Sequence, residues 1–109
     1  MRKIRIMLVD DHAVVRSGLR RMLEQSPGME VVAEAGSGEQ AYQLFSMHMP
    51  DVAVMDLSMR GMGGLESARR ILARHPGSRI LVFSMHENAA FATQALKAGV
   101  SGYVIKASA

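Results

Sequence analysis

The sequence predicts a doubly wound α/β domain built on a five-stranded parallel sheet, and three observations support that prediction. Short apolar runs alternate with amphipathic segments along the chain, which is typical of successive βαβ units. Pro and Gly stand at most of the junctions, and the connecting segments are short. The 109 residues suffice for one domain and leave no room for a second domain of ordinary size.

The predicted elements follow one another in a regular order. Apolar runs predict strands at residues 4–9, 30–35, 52–55, 79–83 and 102–105. Apolar residues at helical spacing predict the intervening helices: Val15, Leu19, Met22 and Leu23 mark the first, Ala41, Leu44 and Phe45 the second, Leu65, Ala68 and Leu72 the third, and an alanine-rich stretch from about residue 88 to 98 the fourth. Right-handed crossovers would place helices on both faces of the sheet, with strand order 2-1-3-4-5.

Composition narrows the class of protein. Apolar residues make up 49% and charged residues 21% of the chain, and no apolar run reaches the roughly 18 residues that a membrane span needs. Cysteine is absent, which excludes disulfides and thiolate metal sites and suits a cytoplasmic protein. The net charge of +3 comes from scattered basic residues with few aromatics between them, so it does not predict direct contact with nucleic acid.

Polar residues follow four of the predicted strands. They are Asp10 and Asp11 after the first strand, Asp56 after the third, Ser84 after the fourth and Lys106 after the fifth. Ligands of open α/β sheets bind beyond the carboxyl ends of the strands, so these side chains are expected to meet at one rim. An aspartate after a strand often only caps the next helix, but capping does not readily explain the whole set.

The chemistry of this set favours a phosphoryl group. Three carboxylates in one pocket repel each other, and a hard divalent cation removes that conflict. Mg²⁺ prefers oxygen ligands and commonly completes its coordination with phosphate oxygens. Lys106 and Ser84 would supply a charge and a donor to the same oxyanion. In such a site a carboxylate can itself be the nucleophile, as in aspartyl-phosphate chemistry.

The polar residues after four of the predicted strands lie in the segments MLVDDH, DLSM with GMGGLE, ILVFSMH and ALKAGVSGYVIK. In order and spacing these segments resemble the motifs of bacterial two-component response-regulator receiver domains, most closely those of the NarL/FixJ group. The resemblance runs from the first strand to the fifth and implies the CheY-like, or flavodoxin-like, fold. It also implies roles for single residues: Asp56 as phosphoacceptor, Asp10, Asp11, Asp56 and the carbonyl of Ser58 as Mg²⁺ ligands, Ser84 and Lys106 as contacts of the phosphoryl group, and Tyr103 as the aromatic switch residue.

The resemblance further implies a function and a set of partners. A histidine kinase would transfer its phosphoryl group to Asp56 with Mg²⁺ present, and a change of conformation would then control an output, most often transcription. Such a domain catalyses only its own phosphorylation and dephosphorylation and is not otherwise an enzyme. Its output would be a helix-turn-helix domain, its own or a neighbour's, which would make any contact with DNA. No membrane partner is implied.

The sequence departs from the family pattern in the loop after the acceptor and at its C-terminal end. Arg60 stands where that loop usually has Pro, and only Ala107–Ala109 follow Lys106, where a fifth helix is usual. A parallel sheet needs cover on both faces. We therefore expect either that the natural protein continues with a fifth helix, or that these 109 residues pair through the uncovered face.

Three other functions are open at this point. A flavin or nucleotide module would have a phosphate-binding loop rich in Ser, Thr or Gly after the first strand, where Asp10 and Asp11 would repel phosphate. A phosphatase of the haloacid-dehalogenase type would place its two first-strand aspartates one residue apart, and here they are adjacent. A degenerate receiver would act by protein contact alone, although this chain has the residues of a complete site.

Overall fold

Five parallel strands form one sheet in the order β2-β1-β3-β4-β5, as predicted. The computed structural model describes residues 2–57, 59, 61–84 and 89–105. The strands are β1 (Ile4–Val9), β2 (Met29–Ala35), β3 (Val52–Met55), β4 (Ile80–Ser84) and β5 (Gly102–Ile105). Within the described ranges the helices are α1 (Ala13–Glu24), α2 (Gly38–His48), α3 (Gly64–Arg74) and α4 (Ala89–Ala98). None of these helices has the length and apolar character to cross a membrane.

The main core lies between one face of the sheet and the helices α2, α3 and α4. Its buried members are mostly apolar residues of β1, β3 and β4 together with Phe45, Ala68, Ile71 and Ala95. The predicted inner residues Ala41, Phe45 and Ala68 are buried. Ile71, which the sequence pattern did not single out, is fully buried, and the predicted Leu65 and Leu72 are half-buried. The buried stripe of α3 is therefore turned slightly from the predicted one.

The opposite face of the sheet is covered more thinly. Ile6, Leu8 and Val31 form its buried cluster, against which Leu19 and Leu23 of α1 pack. No residue of α1 is fully buried. Met22, predicted to face inward, is 58% exposed, because Leu19 and Leu23 at a spacing of four already occupy the line that faces the sheet. Residues 106–109 lie outside the described residues, so the fifth helix and the pairing alternative both stay predictions.

The register of the sheet brings the carboxyl ends of its central strands together. Val9 is the partner of Met55, and Met55 is in turn the partner of Val82. Main-chain hydrogen bonds extend this alignment past the strand ends, since Asp10 N donates to Ala35 O at 3.0 Å and Asp56 N donates to Val9 O at 2.9 Å. The residues that follow β1 and β3 therefore share one rim.

Candidate acidic site at the carboxyl ends of the strands

Three carboxylates and an imidazole converge at this rim. One potential ligand atom from each of Asp10, Asp11, His12 and Asp56 lies within 4.8 Å of the others. Asp10 and Asp56 are buried, with 2% and 4% of their surface exposed. The side chain of Asp11 is 23% exposed and lies at the mouth of the cluster. The fold thus brings together the three aspartates that the sequence placed at strand ends.

Asp10 also has a local structural role. Its Oδ1 accepts a hydrogen bond from the main-chain N–H of His12 at 2.9 Å. That contact is an Asx-type turn just before α1, whose N-cap residue is His12 and has no side-chain capping bond, so the capping interpretation of the aspartates is not borne out. The same contact limits the freedom of the Asp10 carboxylate, because one of its oxygens is tied to the start of α1.

His12 is a member of the cluster to which sequence reasoning assigned no role. Its Nδ1 lies 2.9 Å from Asp10 Oδ1 and 3.0 Å from Asp11 Oδ1. The hydrogen bond with Asp10, followed by the negative charge of Asp11, raises the pKa of the His12 imidazole above its ordinary value. The His12 side chain is 65% exposed, so it lies on the solvent side of the cluster. Adjacency to two aspartates was the one signal that the sequence offered for this role.

The cluster fits a hard divalent cation. Oδ1 of Asp11 is buried and accepts no hydrogen bond within the part of the chain that the structure describes, although the ring nitrogen of His12 is near. A buried carboxylate oxygen without a donor is costly unless a cation occupies the position in front of it. Two further carboxylates lie within reach, so the cluster would offer Mg²⁺ the oxygen ligands that this ion prefers. An imidazole nitrogen is a poorer ligand for this ion.

The structure describes only some of the other predicted site residues. Ser84 ends β4 and is fully buried, while Tyr103 is half-buried in β5. Tyr103 is the register partner of Val82, two residues before Ser84, so Tyr103 and Ser84 lie on the same face of the sheet. Ser58 and Lys106 lie outside the described residues, and so does Arg60. The roles of Ser58 and Lys106 stay predictions.

Close contacts join the described residues after Asp56 to the starts of α2 and α3. A Cβ on Gly64 would lie 2.2 Å from the main-chain oxygen of Asp56 and 2.6 Å from the Cα of Leu57, which no neighbouring backbone could accommodate. Gly64 is the first residue of α3. On the other side, Glu39 Oε1 accepts a hydrogen bond from Met62 N at 2.8 Å. Leu57 therefore lies against the start of α3, and Met62 is bonded to the start of α2.

Comparisons with known proteins agree with this geometry. The family profile of the response regulator receiver domain matches residues 6–109. The transcriptional regulatory protein DegU of Brevibacillus brevis is 40% identical over 104 residues, which cover 95% of this chain and 44% of that protein. The structure of a LuxR-family two-component response regulator from an Aurantimonas species is 51% identical, with a TM-score of 0.92 over 95% of this chain and 74% of that one.

A third relative was solved with a phosphomimetic. The isolated receiver of RcsB from Salmonella enterica, determined in the presence of BeF₃⁻, is 28% identical to this chain, with a TM-score of 0.90. The match covers 98% of this chain and 80% of that one. The curated relatives are longer: this chain spans about half of their length.

Proposed function

Since the chain belongs to the response-regulator receiver domain family, we propose that it accepts a phosphoryl group from a histidine kinase on Asp56, with Mg²⁺ as cofactor. The observation that carries this proposal is the convergence of Asp10, Asp11 and Asp56 at the end of the central strand. Asp56 follows β3, which has β1 on one side and β4 on the other. It can therefore be approached both by the acidic pair after β1 and by the hydroxyl at the end of β4.

In the proposed reaction a carboxylate oxygen of Asp56 attacks the phosphorus of a phosphohistidine. A new O–P bond forms, the N–P bond breaks, and the imidazole of the kinase leaves with the electron pair of that bond and takes up a proton. Asp10, Asp11 and the carbonyl of Ser58 would hold the cation, whose charge offsets that of the phosphoryl oxygens. Ser84 would donate a hydrogen bond to one of these oxygens, and Lys106 would pair with another.

In this chemistry the domain both accepts the phosphoryl group and catalyses the transfer of that group. The acyl phosphate of Asp56 is later cleaved by water, which restores the carboxylate and releases phosphate. The domain thus catalyses its own phosphorylation and dephosphorylation and does not turn over a separate substrate. Steady turnover of phosphate esters would instead mark a phosphatase.

Labelling of the acceptor tests the proposal. The intact chain, incubated with acetyl phosphate and Mg²⁺, is expected to gain the mass of one phosphoryl group. Asp56→Asn should abolish that gain, because an amide oxygen is a poor nucleophile and cannot form the same acyl phosphate. Asp51→Asn, which changes an aspartate at the other end of the sheet, is the matched control and should be labelled normally. Labelling that persists in Asp56→Asn would contradict the assignment.

We also propose that Ser84 and Tyr103 form the switch. The hydroxyl of Ser84 would turn toward the phosphoryl group, and Tyr103 would occupy the space that this movement leaves. In support, Ser84 is buried and both side chains are on the same sheet face as α4. The two arrangements form an equilibrium that phosphorylation shifts. Beryllofluoride should therefore move the NMR signals of Ser84, Tyr103 and α4, and should move those of Tyr103 less in Ser84→Ala. Unmoved signals on a beryllofluoride-saturated chain would contradict the switch.

The domain context is a further part of the proposal. DegU of Brevibacillus brevis is a transcriptional regulatory protein and UvrY of Escherichia coli is a response regulator, and this chain covers 44% of the first and 49% of the second. We therefore place this receiver, with a fifth helix, ahead of a helix-turn-helix output domain. The whole protein would be cytoplasmic and would contact DNA only through the output domain. It would pair with a second copy when phosphorylated. Sequencing the gene beyond codon 109 tests this arrangement. A reading frame without a further helix and helix-turn-helix pattern would contradict it.

A further inference from the structure

Arg16, in the first turns of α1, reaches back to the loop that carries the acidic pair. Its Nη1 donates a hydrogen bond to the main-chain oxygen of Asp10 at 2.5 Å. Its Nε donates to Oε1 of Glu34, on β2, at 3.3 Å. The side chains of Arg16 and Glu34 are only 20% and 29% exposed. One guanidinium thus joins the end of β1 to the neighbouring strand.

The partner of Arg16 is itself held in place. Oε2 of Glu34 accepts a hydrogen bond from Arg20 Nη1 at 2.7 Å, and Arg20 Nε donates to Glu24 at 3.1 Å. Networks in which several polar groups hold one another restrict each member more than an isolated pair does. The Arg16 guanidinium is therefore restricted by its bonds to Asp10 and Glu34 more than an unbonded surface side chain would be.

The group that Arg16 holds is the peptide unit between Asp10 and Asp11. The nitrogen of Asp10 is already bonded to Ala35 O, so the bond from Arg16 fixes the remaining polar atom of that residue's main chain. A peptide unit is planar, so fixing its oxygen also fixes the direction in which the Cα of Asp11 leaves it. The plane thereby fixes the point from which the Asp11 side chain, with its buried Oδ1, extends into the cluster.

We propose that Arg16 is a positioning residue for the metal-binding carboxylates: by holding the Asp10–Asp11 peptide it sets Asp11 in the geometry that the cation needs. The inference rests on the proposed function only in that the cation is Mg²⁺. Arg16 does not touch the ion or the phosphoryl group. Its effect is that of an outer partner that orients a ligand.

The direction in which the Mg²⁺ affinity changes distinguishes a positioning role of Arg16 from an effect of its charge alone. A guanidinium near the carboxylates repels a divalent cation, so charge alone predicts that Arg16→Ala binds Mg²⁺ more tightly and that Arg16→Lys binds it unchanged. Positioning predicts weaker binding in both variants. A lysine keeps the charge, but its single ammonium cannot make the two fixed bonds of the planar fork.

The experiment is titration of the metal-free full chain with Mg²⁺ by calorimetry, with thermal melts to establish that each variant is folded at the titration temperature. We expect the Mg²⁺ dissociation constant to rise on the order of tenfold in Arg16→Ala and Arg16→Lys, the lower end of what outer partners of a metal site contribute. Arg70→Lys is the matched control, since Arg70 also bonds a glutamate, Glu66 at 3.0 Å, but lies on α3 across the sheet. It should bind Mg²⁺ as the unaltered chain does.

A second readout needs no metal. The backbone amide ¹⁵N signal of Asp11, recorded in the metal-free protein, should move in Arg16→Ala and stay in place in Arg70→Lys, because only the first change removes the donor to the preceding carbonyl. Unchanged Mg²⁺ affinity in Arg16→Lys, or an unmoved Asp11 signal, would overturn the inference. If the unaltered chain bound no Mg²⁺, the proposed cofactor would be wrong, and the Asp11 signal alone would still decide whether Arg16 holds this peptide.

Discussion

The two ends of the sheet use aspartate in opposite ways. At the amino-terminal end, Asp51 accepts a hydrogen bond from Arg5 N at 2.8 Å on one oxygen, and the guanidinium of Arg2 bonds the other. At the carboxyl-terminal end, three carboxylates lie together with one imidazole, and Oδ1 of Asp11 accepts no hydrogen bond among the described residues. An aspartate carboxylate thus has a hydrogen-bond donor for each oxygen at one end of the sheet and lies beside other carboxylates at the other end.

The difference separates stability from function within a single fold. The hydrogen bond from Arg5 lowers the pKa of Asp51 and so favours its charged form in the folded protein. The crowded carboxylates at the other end oppose folding through mutual repulsion until a cation joins them. Sites that are destabilised in this way are where proteins commonly hold binding or reactive groups.

The largest effect on stability should come from glycine at the functional rim. Gly64→Ala is expected to lower the free energy of unfolding by about 3 kcal/mol, because its Cβ would collide with the main chain of Asp56 and Leu57. Gly28→Ala is the control at the other rim, where a Cβ would have no heavy atom within 4 Å, and it should change stability little. Urea denaturation of both variants measures this. Equal losses in the two would mean that the tight contact at Gly64 does not exist.

Removing an aspartate should have opposite effects at the two ends. Asp11→Ala is expected to weaken Mg²⁺ binding by more than roughly tenfold, because it removes a proposed ligand. In magnesium-free buffer the same change should raise the melting temperature, because it relieves repulsion among the carboxylates. Asp51→Asn should leave Mg²⁺ binding unchanged and lower the melting temperature. Calorimetry and thermal melts check the four values, and a Mg²⁺ affinity that survives in Asp11→Ala would refute the metal role.

The smallest effect should be a pH dependence at the amino-terminal end. The pKa of Asp51 is lower in the folded chain than its ordinary value, so its stabilising contribution is present at neutral pH and is lost as the pH falls through the folded pKa. The stability difference between the unaltered chain and Asp51→Asn should therefore be constant at neutral pH and shrink below about pH 4. Urea titrations from neutral to acidic pH measure it. A difference that grows on acidification would have the wrong sign for this hydrogen bond.

Much of the fold and part of the site followed from local pattern. Each predicted strand bound agrees with the structure to within one residue, because apolar runs and Pro or Gly stops are short-range signals. The convergence of Asp10, Asp11 and Asp56 followed from strand order alone, since the rule for open α/β sheets concerns strand ends and not side-chain detail.

Other contacts depend on packing that no local pattern encodes. Arg16 meets Glu34, 18 positions away in sequence, only because α1 crosses back over β2. The close approach of Gly64 to Asp56, and the burial of Ile71 in place of full burial of Leu72, likewise depend on how far α3 is rotated against the sheet. A sequence pattern can assign a residue to a face of a helix, but it does not fix that rotation.

The positions of the site residues along the chain determine the order in which the ribosome synthesises them. Asp10, Asp11 and Asp56 all belong to elements made before β4, whereas Ser84 and Lys106 are added 28 and 50 residues after Asp56. At roughly 5–20 residues per second, the growing chain holds its three acids for seconds before the hydroxyl and the ammonium are synthesised. His12, whose Nδ1 lies 2.9 Å from Asp10 and 3.0 Å from Asp11 in the folded domain, is made directly after the acidic pair and is therefore present throughout that interval.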